Sequence, residues 1–225
     1  MSGADGFARS WDAFTARPRT LGPSPGARED WARGRNRYAL WALRVAAPRV
    51  LRRMSAVAEQ LGDAIVPVPP ADAHVTVWVS GFPAEVPVFD DDVAEAALAT
   101  QREAVARLAP PRLVVGAPNA FATCAFLEVA DPHGDLAALR AALSEPGARE
   151  VRFAPYLPHV TVGRFADTRD AAPIAAALAT LRVGDHAAPL TVEGAALELI
   201  ELDALAPDRF TTVWRSARGD SMTMG

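Results

Sequence analysis

The chain has 225 residues, of which 50% are hydrophobic and 22% are charged. This balance is typical of a folded globular protein and argues against wholesale disorder. No apolar run approaches the ~20 residues that span a bilayer, so we expect no integral membrane protein. The N-terminus contains acids and no continuous apolar stretch, which argues against a secretory signal. The single cysteine, Cys124, excludes an internal disulfide and a cysteine-based zinc cluster, and it favours a cytoplasmic location.

The net charge of −4 hides an uneven distribution of arginine along the chain. Residues 1–53 hold 11 Arg against 4 acids, the remainder holds 12 Arg against 23 acids, and the chain contains no lysine. Two explanations fit: a compositional bias of the genome, or recognition of phosphate by planar guanidinium groups. The sequence pI of about 5.6 argues against a general binder of duplex DNA.

Two segments of the chain differ in character. Residues 1–36 mix Pro, Gly, Arg and Ser, which predicts a loose N-terminal arm with one short helix. Residues 37–225 are predicted to form a single bilobal domain. The aromatic residues of the arm, Trp11, Phe14 and Trp31, are expected either to dock on that domain or to bind a ligand.

Strands and helices are predicted to alternate from residue 38 onward. The predicted strands are 38–45, 74–82, 112–118, 124–130, 159–165, 190–202 and 210–217, and the predicted helices are 49–63, 89–111, 134–147 and 171–184. This alternation predicts an α+β or α/β fold, with helices packed on one face of each sheet. The last two strands are expected to form a hairpin.

The tetrapeptide His-Val-Thr-Val occurs twice, at residues 74–77 and at residues 159–162. Each copy lies in a predicted strand, where residues i and i+2 share a face. The valines are therefore expected to enter the apolar core, and the His and Thr of each copy to point together to the other side. The copies are 85 residues apart, which is enough for one lobe. Two similar lobes could thus bring both histidines and both threonines to one cleft.

Two imidazoles and two hydroxyls around one cavity suit in-line displacement at phosphorus. Because the ordinary pKa of histidine is about 6.5, one ring can be neutral and the other protonated near neutral pH. The neutral ring, on His74 or His159, would take a proton from the attacking water or hydroxyl, and the other would donate one to the leaving oxygen. Thr76 and Thr161 would hydrogen-bond the non-bridging phosphate oxygens. This chemistry requires no metal and no cofactor.

The paired motif and its flanks resemble the two-histidine (2H) phosphoesterases, which carry two H-x-[ST]-x motifs. The first copy runs into VWVSGF, similar to the family's H-x-T-L-x-F-L-G stretch, and PHVTVGR is similar to its P-H-x-T-L-x-R stretch. The similarity covers roughly residues 38–216. It implies a bilobal α+β fold, with two antiparallel sheets and outer helices around a central cleft, and assigns catalysis to the His and Thr of each copy. The best-known branch contains bacterial 2′-5′ RNA ligases and 2′,3′-cyclic phosphodiesterases.

Four further side chains are candidates for substrate binding. They are Arg164, Tyr156, Trp78 and Phe121. Arg164 matches the arginine of the second family stretch, but it lies five residues after His159, so a regular pleat turns it away unless Gly163 permits a bulge. Trp78 shares the parity of His74, which favours the cleft. The three aromatics could stack on a nucleobase or pack in the core.

The remaining polar residues are not expected to form a competing site. His133 and His186 are predicted in exposed loops or helix starts. The acids at residues 90–92 lie at the predicted start of a helix, where acids are favoured. Neither copy of the motif has the i, i+4 His pair or nearby carboxylate of zinc enzymes, so we expect no metal site.

Two functions from different classes follow from these features. The first is a metal-independent phosphoesterase that opens 2′,3′-cyclic phosphates of RNA 3′ ends or small nucleotides, with 2′-5′ RNA ligation as the reverse reaction. The second is a non-catalytic module that binds RNA ends or nucleotides through the arginine-rich arm, with an affinity that falls steeply with salt. In either case we expect a cytoplasmic monomer with no membrane partner.

Overall fold

The structure, a computed structural model, describes residues 3–24, 26–144, 149–151, 155–206 and 210–216. Within these residues the α-helices are α1 Gly3–Thr15, α2 Ala27–Ala32, α3 Pro48–Leu61, α4 Glu95–Val105, α5 Asp135–Ser144 and α6 Ala171–Leu181. The strands are β1 Arg37–Arg44, β2 Ile65–Pro67, β3 His74–Ala84, β4 Asp92–Ala94, β5 Leu113–Ala120, β6 Cys124–Ala130, β7 His159–Phe165, β8 Leu190–Val192, β9 Leu197–Asp203 and β10 Phe210–Arg215. None of the described helices is long and apolar enough to cross a membrane.

The strands form one mixed but mainly antiparallel sheet in the order β10-β9-β1-β3-β7-β6-β5-β8. β2 adds to β7 as an antiparallel neighbour, and β4 pairs with β3 in parallel. The sheet has two halves, which meet where Val75 of β3 faces Val160 of β7. The predicted α+β class is therefore confirmed, and the two sheets expected from the resemblance are halves of one connected sheet.

Each half of the sheet is extended by a segment that, along the chain, precedes the motif of the other half. Residues 65–68 precede the first motif and run along β7, where the N–H of Val68 donates to the Val162 carbonyl at 2.8 Å. Val151 precedes the second motif, and its N–H donates to the Val79 carbonyl on β3 at 2.9 Å. This reciprocal exchange ties the two halves together on both sides of the central strand pair.

The helices cross between the halves in the same way. α3 follows β1 but packs on β7 and α6, whereas α5 follows β6 but packs on β3 and α4. Apolar side chains between helices and sheet form one main core, to which Trp41, Leu143, Phe165 and Leu178 each contribute a fully buried side chain. Because removal of apolar area from water stabilises by roughly 25 cal/mol per Å², this shared core holds both halves in place.

Two predicted elements have different limits in the structure. The helix predicted from residue 89 begins at Glu95, because the acids before it serve other contacts: Arg35 Nη1 lies 2.7 Å from Asp91 Oδ1 and 2.5 Å from Asp92 Oδ1. The strand predicted over residues 190–202 is divided into β8 and β9 around Gly194, which has a φ of 67°. A positive φ is a conformation that glycine adopts at little cost.

The N-terminal segment is packed against the sheet rather than loose, which corrects the expectation of an irregular arm. Phe14 is 1% exposed and stacks on Phe165 with ring centroids 5.9 Å apart. Thr20 is fully buried, and its hydroxyl donates to the Asp167 carbonyl at 3.0 Å. The aromatic docking predicted for Phe14 is thus observed. The domain boundary between residues 36 and 37 stays a prediction.

We expect Gly163→Ala to lower the free energy of unfolding by about 1–3 kcal/mol, because a methyl group has no room there. An ideal Cβ on Gly163 would lie 2.7 Å from Ile65 Cδ1 and 2.8 Å from the Val66 carbonyl oxygen. The matched control is Gly116→Ala in β5, whose Cβ would meet nothing closer than 3.7 Å. Denaturant unfolding measures both variants, and equal stability would contradict the close packing of β2 on β7.

Candidate active site

The two His-Val-Thr-Val motifs lie at the starts of the adjacent antiparallel strands β3 and β7. Their four valines are buried, at 1% exposure or less. The His and Thr of each motif are part-exposed on the opposite face. The alternation predicted from the sequence therefore holds within both motifs.

The strand register determines how the four polar side chains are arranged. Next to the Val75–Val160 pair, an antiparallel ladder puts His74 across from Thr161, and Thr76 across from His159. The imidazoles then occupy two diagonal corners of the group, and the hydroxyls occupy the other two. Diagonal neighbours in a regular ladder are about 7–8 Å apart, a span that one tetrahedral anion can bridge with hydrogen bonds at both ends.

Both imidazoles are oriented by the same hydrogen bond to the chain just before them. His74 Nδ1 lies 2.7 Å from the Asp72 carbonyl oxygen, and His159 Nδ1 lies 2.8 Å from the Leu157 carbonyl oxygen. Because a carbonyl oxygen only accepts, Nδ1 carries the proton in each ring. Proton exchange with a ligand then falls to Nε2 of each imidazole.

Both motif strands contain an extra residue at the same place, the second valine of the motif, and β3 contains a further one at Ser80. Successive residues of β1 face Thr76 and Trp78, so the valine between them has no counterpart on β1. Successive residues of β6 face Thr161 and Gly163, which skips the second valine in the same way. An extra residue of this kind reverses the alternation of faces along the strand beyond it.

The two bulges decide where Trp78 and Arg164 point. Trp78 is turned into the core and is 6% exposed, which corrects the cleft-facing orientation expected from its parity with His74. Arg164 is brought to the same sheet face as Thr161, where it is exposed. The strand is therefore not regularly pleated at this point, and the bulge considered in the sequence analysis is present, at Val162.

Tyr156 and Phe121 both lie beside the motifs. The Tyr156 hydroxyl donates to the Thr76 carbonyl at 2.9 Å, and the Arg140 guanidinium lies 3.7 Å from the centroid of the tyrosine ring. Tyr156 thus supports the backbone of the first motif. Phe121 lies in the turn between β5 and β6, and its ring centroid is 5.1 Å from that of His159, with the rings at 84°. It contacts the second imidazole edge-on.

The N-terminal segment holds the turn that carries Phe121. The Ser10 hydroxyl of α1 donates to the Ala120 carbonyl at 3.1 Å, and the N–H of Leu21 donates to the Ala122 carbonyl at 2.7 Å. These bonds bind the turn on both sides of the phenylalanine. The segment that the sequence analysis separated from the domain therefore helps to build the site.

Three side chains next to the histidines were missed in the sequence analysis. Arg44 of β1 is directly opposite His74, and Glu128 of β6 is directly opposite His159. The ring centroid of Phe210 lies 6.2 Å from that of His74. Arg44 and Glu128 each interrupt an apolar run, which is a signal for a special position, but their neighbours depend on which strands pair.

The surroundings of His74 favour the neutral imidazole. Burial is the main cause that lowers the pKa of His74 below 6.5, and the charge of Arg44 lowers it further. The hydrogen bond from Nδ1 to Asp72 and the charges of Asp72 and Glu198 oppose this shift in part. Arg44 itself is held by Glu198, with Nη2 and Oε2 2.8 Å apart, and its guanidinium lies 4.9 Å from the Phe210 ring centroid.

The lowered pKa of His74 has a consequence for stability. Between the lowered pKa and 6.5, the unfolded chain binds the proton and the folded chain does not. We therefore expect the free energy of unfolding to be highest above about pH 6.5 and to fall as the pH drops toward the folded-state pKa. His74→Gln should lack this part of the pH dependence, whereas His133→Gln, at an exposed position, should keep it. Urea unfolding across this range measures it, and an unaltered profile in His74→Gln would contradict the shift.

Known proteins share both the sequence pattern and the fold of this chain. The family model of the 2′-5′ RNA ligase superfamily matches residues 41–205. E. coli LigT in apo form is similar in structure, with 15% identity and a TM-score of 0.51 over 81% of this chain and 97% of LigT. TT0787 of Thermus thermophilus is similar too, with 16% identity and a TM-score of 0.51 over 82% of this chain and 99% of TT0787.

A crystal structure of E. coli LigT complexed with 3′-AMP is also similar, with 13% identity and a TM-score of 0.50 over 81% of this chain and 97% of LigT. No curated protein sequence matches the chain. The structural matches show that the fold is shared, and the family model covers more than half of the residues of this chain. The chain belongs to the 2′-5′ RNA ligase superfamily, the 2H phosphoesterases.

Proposed function

We propose that the protein is a metal-independent phosphoesterase that opens 2′,3′-cyclic phosphates, at RNA 3′ ends or in small nucleotides, to 2′-phosphates. The observation that carries this proposal is the diagonal arrangement of two imidazoles and two hydroxyls on one sheet face. In this proposal the two imidazoles carry out both proton transfers, so no step is assigned to a metal ion.

His74 and His159 have opposite roles in this mechanism. The neutral Nε2 of His74 takes a proton from water, whose oxygen forms a bond to phosphorus. The bond between phosphorus and the 3′ oxygen breaks, and His159 Nε2–H gives its proton to that oxygen. The diagonal positions of the rings suit this reaction, because attacking and leaving groups lie on opposite sides of the phosphorus. The lowered pKa of His74 supports its role as the base.

Thr76 and Thr161 donate hydrogen bonds to the non-bridging oxygens of the phosphate. Donors aimed at the oxygens that gain charge stabilise the transition state more than the ground state. Tyr156 positions Thr76, because its hydroxyl donates a hydrogen bond to the Thr76 carbonyl. Phe121 and Phe210, each beside one imidazole, offer ring faces or edges to the nucleoside.

The substrate class has support from a relative. LigT has been crystallised with 3′-AMP, a nucleotide with phosphate on the ribose 3′ oxygen. The 3′ oxygen is one of the two ribose oxygens that a 2′,3′-cyclic phosphate bridges, so a nucleotide of this kind is related to the proposed substrate. With a 5′-hydroxyl in place of water, the same steps join a 2′,3′-cyclic phosphate end to a second strand: the 5′ oxygen bonds to phosphorus, the bond to the 3′ oxygen breaks, and the product is a 2′-5′ phosphodiester with a free 3′-hydroxyl.

The alternative, a binding module that uses the arginine-rich arm, has less support. Several arginines of residues 1–53 are occupied within the protein: Arg35 with Asp91 and Asp92, Arg37 with Glu201, and Arg44 with Glu198. Arg53 is buried and donates to carbonyl groups, for example that of Gly116 at 2.9 Å. These guanidinium groups stabilise the fold, so the charge of the segment is only partly available to a polyanion.

Hydrolysis of a 2′,3′-cyclic nucleotide in the presence of EDTA tests the proposed function. We expect turnover by the wild type and a loss of about 10²–10⁴-fold in kcat for His74→Ala and for His159→Ala, because each removes a proton-transfer group. His133→Ala, at an exposed position outside both motifs, is the matched control and should keep full activity. Full activity in either motif variant would rule out the acid–base pair.

The pH dependence of kcat/KM tests the role of His74. As base, His74 must be neutral, so activity should fall at acidic pH with a midpoint below 6.5. Arg44→Met removes a cation that lowers this pKa, so the acidic limb should move to higher pH. An acidic limb that stays in place in Arg44→Met would speak against His74 as the group that titrates.

A further inference from the structure

One arginine lies on the buried side of helix α5. Leu136, Leu139 and Leu143 of this helix are each 2% exposed or less and belong to the main core. Arg140 shares their side of the helix, because residues three and four apart lie on one helix face. An arginine in an apolar stripe of this kind needs partners for its charge and its N–H groups. The partners of Arg140 lie in and around the first motif.

Glu150 holds the Arg140 guanidinium in a fixed plane. Nη1 lies 3.1 Å from Oε1 of this glutamate, and Nη2 lies 2.6 Å from Oε2. The two side chains are only 20% and 14% exposed, so water screens the pair weakly. Paired bonds between a guanidinium and a carboxylate set distance and angle together. The next residue, Val151, donates its N–H to the Val79 carbonyl of β3 at 2.9 Å, which anchors this segment on the strand of the first motif.

The same guanidinium contacts the first motif itself. Nη1 donates a hydrogen bond to the carbonyl of Val77, the second valine of the motif. The guanidinium also lies 3.7 Å from the ring centroid of Tyr156, a distance at which a cation is attracted to an aromatic face. The Tyr156 hydroxyl in turn donates to the Thr76 carbonyl. Arg140 therefore acts on two consecutive residues of the motif, on Val77 directly and on Thr76 through the tyrosine.

The carbonyl that Arg140 binds has a counterpart in the second motif. Val77 and Val162 are the extra residues of the two motif strands. A bulge interrupts the ladder, so the polar groups of the extra residue need partners of their own. The Val162 carbonyl accepts the N–H of Val68 at 2.8 Å, whereas the Val77 carbonyl accepts a bond from a side chain. A substitution can therefore remove the donor at the first motif and leave the backbone unchanged.

α5 presents Arg140 from a rigid support. Gln101 of α4 is fully buried, and its amide nitrogen donates to the Leu143 carbonyl at the end of α5 at 2.9 Å. The amide oxygen of Gln101 accepts the indole N–H of Trp41, on β1, at 2.9 Å. These bonds join α4 and α5 to the strand that pairs with β3. The position of Arg140 relative to the first motif is thus set by the core.

We propose that Arg140, oriented by Glu150, is a positioning residue for the reaction. It holds the bulge of β3 so that the Thr76 hydroxyl and the His74 imidazole meet the phosphate at the productive distance and angle. This inference rests on the proposed function and adds to it a residue that acts through others. Groups that stabilise a transition state must be held to within about 0.5 Å, and a misplacement of about 1 Å can cost 10²-fold in rate. The chemical step should therefore depend on Arg140 more than substrate binding does.

Hydrolysis of adenosine 2′,3′-cyclic phosphate by the full chain tests this role through kcat and KM. We expect Arg140→Met to lower kcat about tenfold and to change KM less than about twofold, because alignment matters most in the transition state. Arg140→Lys keeps the charge but lacks the planar fork, so its kcat should stay about threefold or more below wild type. Arg112→Met is the matched control. Arg112 pairs with Asp135 at the start of the same helix, at 3.3 Å, and its loss should leave kcat unchanged.

Two milder variants test the route and decide the question if Arg140→Met does not fold. Tyr156→Phe removes the bond to the Thr76 carbonyl, and Glu150→Gln removes the charge that orients the guanidinium. Each should lower kcat by about threefold or more in protein that circular dichroism shows to be folded. The losses from Arg140→Met and Tyr156→Phe should be less than additive in the double variant, because both act on the same segment. Fully additive losses, or wild-type kcat in the folded Arg140 and Glu150 variants, overturn the inference.

The ring signals of the histidines give a readout that needs no turnover. In NMR spectra of the full chain with isotope-labelled histidine, assigned with His74→Gln and His159→Gln, the His74 signals should move in both Arg140 variants. The signals of His133, at an exposed position outside both motifs, should stay in place. A merely structural role would lower the free energy of unfolding and leave the His74 signals of the folded protein unchanged, an outcome that contradicts the proposal.

The two readouts together separate this inference from the proposed function. Lack of turnover by the wild type, with displaced His74 signals in the Arg140 variants, would refute the reaction and keep the positioning of the motif. Turnover by the wild type, with the same kcat in the folded Arg140 variants, would keep the reaction and refute the positioning role.

Discussion

The site depends on one packing constraint, the burial of the motif valines beneath the central strand pair. Burying one such side chain stabilises by roughly 1.5–3 kcal/mol, and four of them face the core at 1% exposure or less. A slip of one residue in either strand would expose the valines and bury an imidazole and a hydroxyl. The core thus forces the histidines and threonines onto the other face, and the pairing of Val75 with Val160 brings the two sets together.

The seam between the two halves of the sheet consists of a single residue pair, Val75 of β3 with Val160 of β7, yet several segments of the chain cross from one half to the other. β2 leads toward the first motif but pairs with β7, and Val151, ahead of the second motif, bonds to β3. α3 and α5 pack across the seam in opposite directions. This exchange fixes the angle between the halves, and so the separation of the two imidazoles, without a long continuous ladder between β3 and β7.

The two motifs are alike in backbone and unlike in charge. Each has the same bulge and the same bond from Nδ1 to a carbonyl two residues earlier. Across the ladder, however, His74 faces Arg44, whereas His159 faces Glu128, which is itself bound by Arg182 at 2.8 Å. Identical side chains are thereby given different electrostatic surroundings, a condition that an acid and a base of the same residue type require.

The sequence by itself determined the strands that carry the motifs, the inward valines and the outward His and Thr, because alternation along a strand is a local property. Together with the flanking residues, this pattern was sufficient for the family and for the α+β class. The tertiary structure alone decided the faces of Trp78 and Arg164, since a bulge is defined by the neighbouring strand, not by the strand's own residues. It also decided the neighbours Arg44 and Glu128 and the docking of residues 3–24, because these contacts join residues far apart in the chain and form only when strands pair and the core closes.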